Sequence, residues 1–279
     1  MSNFCCIFAL DFNSDFMKRI VFPLVAAICL SLYSLPTLAW GQEGHRIIAK
    51  IAYDHLNQGT RKRVDKILGK QGIIYYANWA DEIKSDTIYP TSYDWHFQDF
   101  DGGLSDSIVM ASLRDYPKEG GNLLRVTDSL IAVIKATKPQ EIDPHTLRFV
   151  VHLVGDRYCP MHTARMDDKG GNSVKMQWFG RNTNLHSVWD TKLIESQGYS
   201  YTEYAQKITH TYTHLRRDVE KMSPEELLVG NYHVTEAIYT YQQSWDGNTY
   251  HYIYRWKEPM EWQLYKAGIR LAKLLNEIL

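Results

Sequence analysis

Two pairs of residues in this chain have the type and spacing to hold a metal ion. His152 and Asp156 sit in RFVVHLVGD, and His186 and Asp190 sit in NLHSVWD. Residues four apart share one face of a helix, so an imidazole and a carboxylate can converge on one ion. The flanking residues are apolar, so both pairs should face inward. A buried carboxylate is costly unless it is paired or bound to metal. Such pairs suit either a metal centre that performs hydrolysis or buried ion pairs that only hold the fold. Spacing alone does not separate the two, because a chain with 11 histidines meets it by chance. A third pair, His214 and Asp218, lies in HTYTHLRRD beside two arginines and reads as solvated surface, although His210 precedes it by four residues.

Five more residues join the set when the chain is taken in order: Trp40, His45, Asp81, His96 and His162. Singly they are ordinary. His162 in CPMH would be a loop histidine, Asp81 in WADEI a solvent-facing helix carboxylate, His96 in DWHF a core histidine packed on aromatics, and His45 an early helix surface residue. Trp40 has no ligand side chain, and its candidacy depends on processing. Residues 17–39 read MKRIVFPLVAAICLSLYSLPTLA. They show a basic start at Lys18 and Arg19, an apolar stretch, and Thr37-Leu38-Ala39 in the pattern of a signal peptidase site. Ser31, Ser34 and Pro36 interrupt the apolar run, which is short for a stable membrane span. Residues 1–39 are therefore expected to be a signal-peptide region, with translation starting at Met17 and the mature chain at Trp40. A free α-amine and the Trp40 carbonyl could then grip a metal ion.

Composition bounds the partners. Of 279 residues, 44% are hydrophobic and 23% charged, with a formal net charge of −1. That suits a globular chain with a full core. Without a Lys/Arg block, a broad basic footprint on duplex nucleic acid is not indicated, whereas bound metal could attract anions locally. Removal of 1–39 leaves Cys159 as the one cysteine, so stability must come from the core or from metal rather than a disulfide. No Asn-x-Ser/Thr sequon is present. The expected location is the periplasm of a bacterium, or its medium.

Helices must position these residues, since helical periodicity dominates. Helices are predicted at 45–56, 61–68, 122–136, 146–156 (opened by Pro144), 201–219, 224–243 (capped by Ser223) and 260–279. Residues 173–178 are the best strand candidate. Residues 99–106 and 166–183, rich in Gly, Asp and Asn, read as loops. With no repeat or linker, the expected fold class is all-α: a single mostly helical domain over 40–279.

The full order resembles the secreted single-strand-specific zinc nucleases of fungi and plants, a family with bacterial members and a fold shared with zinc phospholipase C. The matching segments are WGQEGH at 40–45, WADEI at 79–83, WHF at 95–97, FVVHLVGD at 149–156, PMH at 160–162, GGN at 170–172, WFG at 178–180 and TNLHSVWD at 183–190. The resemblance implies three zinc ions. Asp81, His96, His152 and Asp156 would hold one. The Trp40 amine and carbonyl, His45 and a shared Asp156 would hold the second. His162, His186 and Asp190 would hold a third, more exposed ion. It further implies that Asp81 orients an attacking water and that Lys84 is a cation near the phosphate. Phe97 would stack on a base, Asp99 would read the base edge, and Gly171 and Asn172 would line the pocket. On their own, Phe97 reads as core and Lys84 as a solvated helix lysine. Stacking needs an unstacked base, hence single strands.

The implied activity is hydrolysis of single-stranded DNA and RNA to 5′-phosphate products, with 3′-nucleotides as further substrates. The implied protein is a monomer with no stable protein partner and no membrane attachment after signal removal. Two rivals remain: a zinc phospholipase C, and a non-catalytic zinc-binding protein. WGQEGH and the Phe97/Asp99 pair favour the nuclease over the lipase.

Overall fold

The computed structural model describes residues 40–279. The signal-peptide reading of 1–39 and the Met17 start lie outside the described residues. The longer helices are α1 Gln42–Asp54, α2 Gln58–Leu68, α3 Leu123–Ala136, α4 Pro144–Asp156, α5 Tyr201–Tyr212, α6 Pro224–Gln242 and α7 Thr249–Ile278. One antiparallel hairpin, β1 Lys175–Trp178 with β2 Arg181–Asn184, is the only sheet among the described residues. The protein is all-α, as its periodicity predicts. No helix among the described residues is long and apolar enough to cross a membrane.

Local chemistry explains most helix starts. Asp143 caps α4 by accepting from the Thr146 amide at 3.0 Å, and Pro144 fills the first helical turn, where its missing N–H costs nothing. Ser200 with Glu203 and Ser223 with Glu226 form capping boxes that open α5 and α6.

Three elements differ from expectation. The helix predicted over 201–219 breaks after Tyr212 into a tight turn, Thr213–Leu215, and a short helix, Arg216–Lys221. The break follows a Thr-rich run in which the Thr211 hydroxyl donates back to the Lys207 carbonyl at 2.9 Å, a bond that competes with helix propagation. The last helix begins at Thr249, well before 260, and runs through Pro259. An interior proline costs about 3 kcal/mol, but Tyr252 and Trp256 before it and Met260 and Leu264 after it are all buried in one core, which offsets that loss. The second strand was not expected. Its turn is Phe179-Gly180, both with positive φ (48° and 75°), as a two-residue hairpin requires. Phenylalanine is an uncommon residue there, so the sequence carries no clear turn signal.

The core centres on α1 against α7. At Gly268 the helices approach so closely that a Cβ would lie 2.5 Å from Ile51 Cγ2 and 3.2 Å from the Ile48 carbonyl oxygen. Gly268→Val is therefore expected to destabilise the fold by about 1–3 kcal/mol through overpacking. Thermal unfolding checks this, and an unchanged melting temperature would show that the two helices are free to separate.

Candidate metal centre

The candidate ligands come from separate elements that meet at the C-terminal end of α4. His152 and Asp156 occupy its last two turns. His45 lies in the first turn of α1, and Asp81 in the short helix Trp79–Glu82. His96 follows the turn Ser92–Trp95, and His162 sits in the turn Pro160–Thr163. His186 lies in the short helix Leu185–Ser187, and Asp190 in the widened π-type turn Val188–Lys192. Such turns recur at functional sites. None of these eight side chains belongs to a residue more than 7% exposed, so His45 and Asp81 are not the surface groups that each suggests alone. His214 and Asp218 are exposed.

Asp156 is the hub. Its Oδ1 lies 3.2 Å from His45 Nε2, and its Oδ2 lies 3.2 Å from His96 Nδ1 and 3.3 Å from His152 Nε2. Asp81 Oδ1 lies 3.5 Å from those same atoms of His96 and His152. Asp190 Oδ2 lies 2.8 Å from His186 Nε2 and 3.8 Å from His162 Nε2. The rings of His45 and His152 stack at 3.7 Å. Backbone carbonyls orient three of the imidazoles: His152 Nδ1 donates to Ala77 O at 2.6 Å, His162 Nδ1 to His96 O at 2.5 Å, and His186 Nδ1 to Gly170 O at 2.6 Å. Each bond fixes the ring with Nε2 turned inward, the orientation metal-binding histidines use.

Trp40 carries no ligating side chain, but it is locked beside this hub. Its indole Nε1 donates to the Gly155 carbonyl at 3.1 Å, and the next residue's amide, Gly41 N, donates to the Asp190 carbonyl at 2.6 Å. The Trp40 backbone is thus tethered next to two candidate ligands, Asp156 and Asp190.

Buried ion pairs alone do not account for the cluster. Burial disfavours charge on His152 and His162, but the Asp156 and Asp81 carboxylates raise His152 to about 10, and Asp156 and Asp190 raise His162 to about 9. Burial lowers His45 and takes His96 down to about 3, so these two stay neutral. His96 Nε2 is buried and makes no hydrogen bond, while His45 Nε2, Asp156 Oδ1, His162 Nε2 and Asp190 Oδ2 face only other members of the cluster, at 2.8–3.8 Å. A cation among them would satisfy these atoms together. Three groups of donors lie within mutual ligand range: His45/Asp81/His152, His96/His152/Asp156 and Cys159/His162/Asp190. Imidazole and carboxylate donors in such groups fit zinc.

Of the other candidates, Lys84, Phe97, Asp99 and Gly171 lie beside this cluster. Lys84 Nζ lies 2.7 Å from Asp81 Oδ1. Phe97 is half-buried beside His96, with Tyr93 edge-on at 5.8 Å. Asp99 is buried and accepts from the Ala164 amide at 3.3 Å; burial lifts its carboxyl to about 7 despite the pull of His162 and His186. Gly171 is buried, its amide donating to Asp168 Oδ1 at 2.6 Å. Asn172 is exposed and donates to the Lys169 carbonyl of its own loop.

Three supports went unseen in the sequence. Gly120 and Gly121 (φ 78° and 107°) back the strip 97–99, where a Cβ would lie 2.3 Å from Asp99 O and 2.2 Å from Phe97 O. A Gly-Gly turn was legible, but its distant partner was not. Asp168 accepts from both Gly171 and the Tyr239 hydroxyl, tying the 166–172 loop to α6. Cys159 Sγ donates to Asp190 Oδ1 at 3.3 Å, and burial pushes this thiol well above its usual range.

The family model described as S1/P1 Nuclease matches residues 40–279. Endonuclease 3 of Arabidopsis thaliana is 27% identical over 282 aligned residues, covering 91% of this chain and 94% of the relative. Nuclease S1 of Aspergillus oryzae is 30% identical over 181 residues, 64% of this chain and 62% of the relative. Nuclease P1 of Penicillium citrinum is 29% identical over 171 residues, 59% of this chain and 63% of the relative.

Proposed function

The chain belongs to the S1/P1 nuclease family, and from that premise we propose that it is a zinc-dependent endonuclease that hydrolyses single-stranded DNA and RNA to 5′-phosphate products and also accepts 3′-nucleotides. The observation that carries this proposal is the convergence of eight buried imidazoles and carboxylates that turn their ring nitrogens and carboxylate oxygens toward one another. Asp81, His96, His152 and Asp156 would hold one zinc. The Trp40 amine and carbonyl, His45 and Asp156 would hold a second, and His162, His186 and Asp190 a third. Zinc, when bound, supplies Lewis-acid charge and makes water nucleophilic near neutral pH. Three dications against three carboxylates leave the site strongly positive in a chain whose net charge is −1, so phosphate attraction is local.

The chain's own groups then orient the substrate. Asp81, held by Lys84 at 2.7 Å, would orient the attacking water, and the Lys84 ammonium faces the phosphate. Phe97 offers its half-buried ring to an unpaired base, and Asp99 accepts hydrogen bonds from that base's edge. Gly171 and Asn172 line the far side of the pocket. A base already stacked in a duplex cannot reach Phe97, which favours single strands. On the same proposal, signal removal frees Trp40 and the protein works as a monomer in the periplasm or medium, without membrane attachment.

Phe97→Ala is expected to raise KM for single-stranded DNA while kcat holds. Base–aromatic stacking contributes about 1–3 kcal/mol, or roughly a 5- to 150-fold loss in kcat/KM. Steady-state kinetics check this; an unchanged KM would assign Phe97 to packing. The proposal as a whole is tested by assaying zinc-loaded 40–279 on single-stranded DNA, RNA, duplex DNA and phosphatidylcholine. Lipid cleavage alone would make it a phospholipase, and cleavage of nothing would leave a zinc-binding protein.

A further inference from the structure

A helix face that packs against its own protein is ordinarily apolar. One side of α6 instead carries Asn231, Tyr232, Thr235, Glu236 and Tyr239, which helical spacing sets on a common face. Their polar atoms go to the segments that carry the proposed base pocket. Asn231 donates to Thr163 Oγ1 at 2.8 Å, and Thr235 to Pro160 O at 2.9 Å. The Tyr232 hydroxyl donates to Asp101 O at 2.9 Å, and that of Tyr239 to Asp168 Oδ1 at 2.9 Å. Glu236 takes Arg165 and the Gly103 amide.

Arg165 stands where the two walls of that pocket meet. Toward Asp99, Phe100 N donates to Ala164 O at 2.8 Å, Met166 N to Phe100 O at 3.3 Å, and Ala164 N to Asp99 Oδ1 at 3.3 Å. Toward the 166–172 loop, Gly170 N donates to Arg165 O at 2.9 Å. The guanidinium lies against Gly102, where a Cβ would come within 2.9 Å of Nε, and over the Tyr239 ring at 4.2 Å. Glu236 holds it there through contacts of 3.2 and 3.4 Å, while its Oε2 accepts from Gly103 N at 3.1 Å. The circuit closes through Tyr239 and Asp168, which also accepts from Gly171 N at 2.6 Å. An ion pair whose side chains are 27% exposed adds little to stability. Its several contacts fix position instead.

We propose that Arg165 and Glu236 are positioning residues for base recognition: they set the spacing between Asp99 and the 166–172 loop, and with it how closely the pocket fits a base. The proposal rests on the reading above that Asp99 contacts the base edge. Neither side chain touches substrate; both act through Asp99 and Gly171. Glu236→Gln keeps the size of the side chain and an oxygen for the Gly103 amide, but it removes the charge that holds the guanidinium on Gly102 and Tyr239.

The test compares zinc-loaded 40–279 with its Glu236→Gln variant on a single-stranded oligonucleotide and on one of equal length made of abasic nucleotides. The wild type is expected to favour the base-bearing strand in kcat/KM. In the variant that preference should shrink by roughly 10-fold, through KM with kcat holding, since small misplacements of binding groups can cost up to about 100-fold. Equal losses on the two strands would mark the pair as merely structural and overturn the proposal, as would an unchanged preference. A wild type without any preference would defeat the base-pocket reading and the proposal with it, and cleavage of neither strand would defeat the nuclease reading itself. Arg165→Lys decides the matter if Glu236→Gln does not fold. Lysine keeps the charge but lacks the planar group that packs on Gly102 and Tyr239, so the same loss of preference is expected.

Discussion

Asp156→Asn is expected to abolish nucleic-acid hydrolysis and to strip zinc from more than one position. The loss in kcat/KM should exceed the roughly 10- to 100-fold that follows removal of an outer-shell partner, because this carboxylate touches the cluster with both oxygens. Oδ1 faces His45, while Oδ2 faces His96 and His152. Asparagine keeps the shape, but it removes one of the three cluster carboxylates and turns an acceptor into an NH2 group aimed at a cation. The side chain is fully buried, so solvent cannot compensate. Elemental analysis and single-strand cleavage, measured on the same preparation, check the outcome. Full zinc content with wild-type turnover would remove Asp156 from its shared role. Asp218→Asn, in the exposed pair of identical spacing, should change neither quantity.

A chain that begins at Ala39 is expected to hold one zinc fewer than a chain that begins at Trp40, with activity lower by about 100-fold or more. One added residue converts the Trp40 amine into an amide, which is a very poor ligand. The free amine has an ordinary pKa of about 7.7–8.0, so zinc can displace its proton. The indole bond to Gly155 and the Gly41 bond to Asp190 hold this backbone beside the hub in either form. The comparison therefore isolates the chemistry of one nitrogen. Equal metal content and equal activity in the two chains would exclude the amine as a ligand.

The parts of the site legible in sequence are those whose geometry is local. His152/Asp156 and His186/Asp190 could be read because four-residue spacing on an apolar helix fixes both proximity and burial. The meeting of His45 with Asp156, or of Asp81 with His96, depends on chain segments far apart in sequence, and only the family resemblance grouped them. The fold shows the same division. Caps such as Ser223 with Glu226 are local signals and mark the helix ends well. Passage of α7 through Pro259 was illegible because burial on both sides outweighs a local penalty. Gly120 and Gly121 announce a turn, but their contact with residues 97–99 is a property of the folded chain. Cys159 carried no signal at all, since its meaning comes from Asp190, which approaches from another element.

The bond from His162 Nδ1 to the His96 carbonyl links two candidate ligands through a single peptide group. That peptide cannot rotate to suit the ion at His96 without swinging the ring of His162. The positions are therefore not independent docks. Occupancy at one stiffens the geometry offered at the next, so the ions should load in a concerted rather than piecemeal way, and a chelator that removes one should loosen its neighbours.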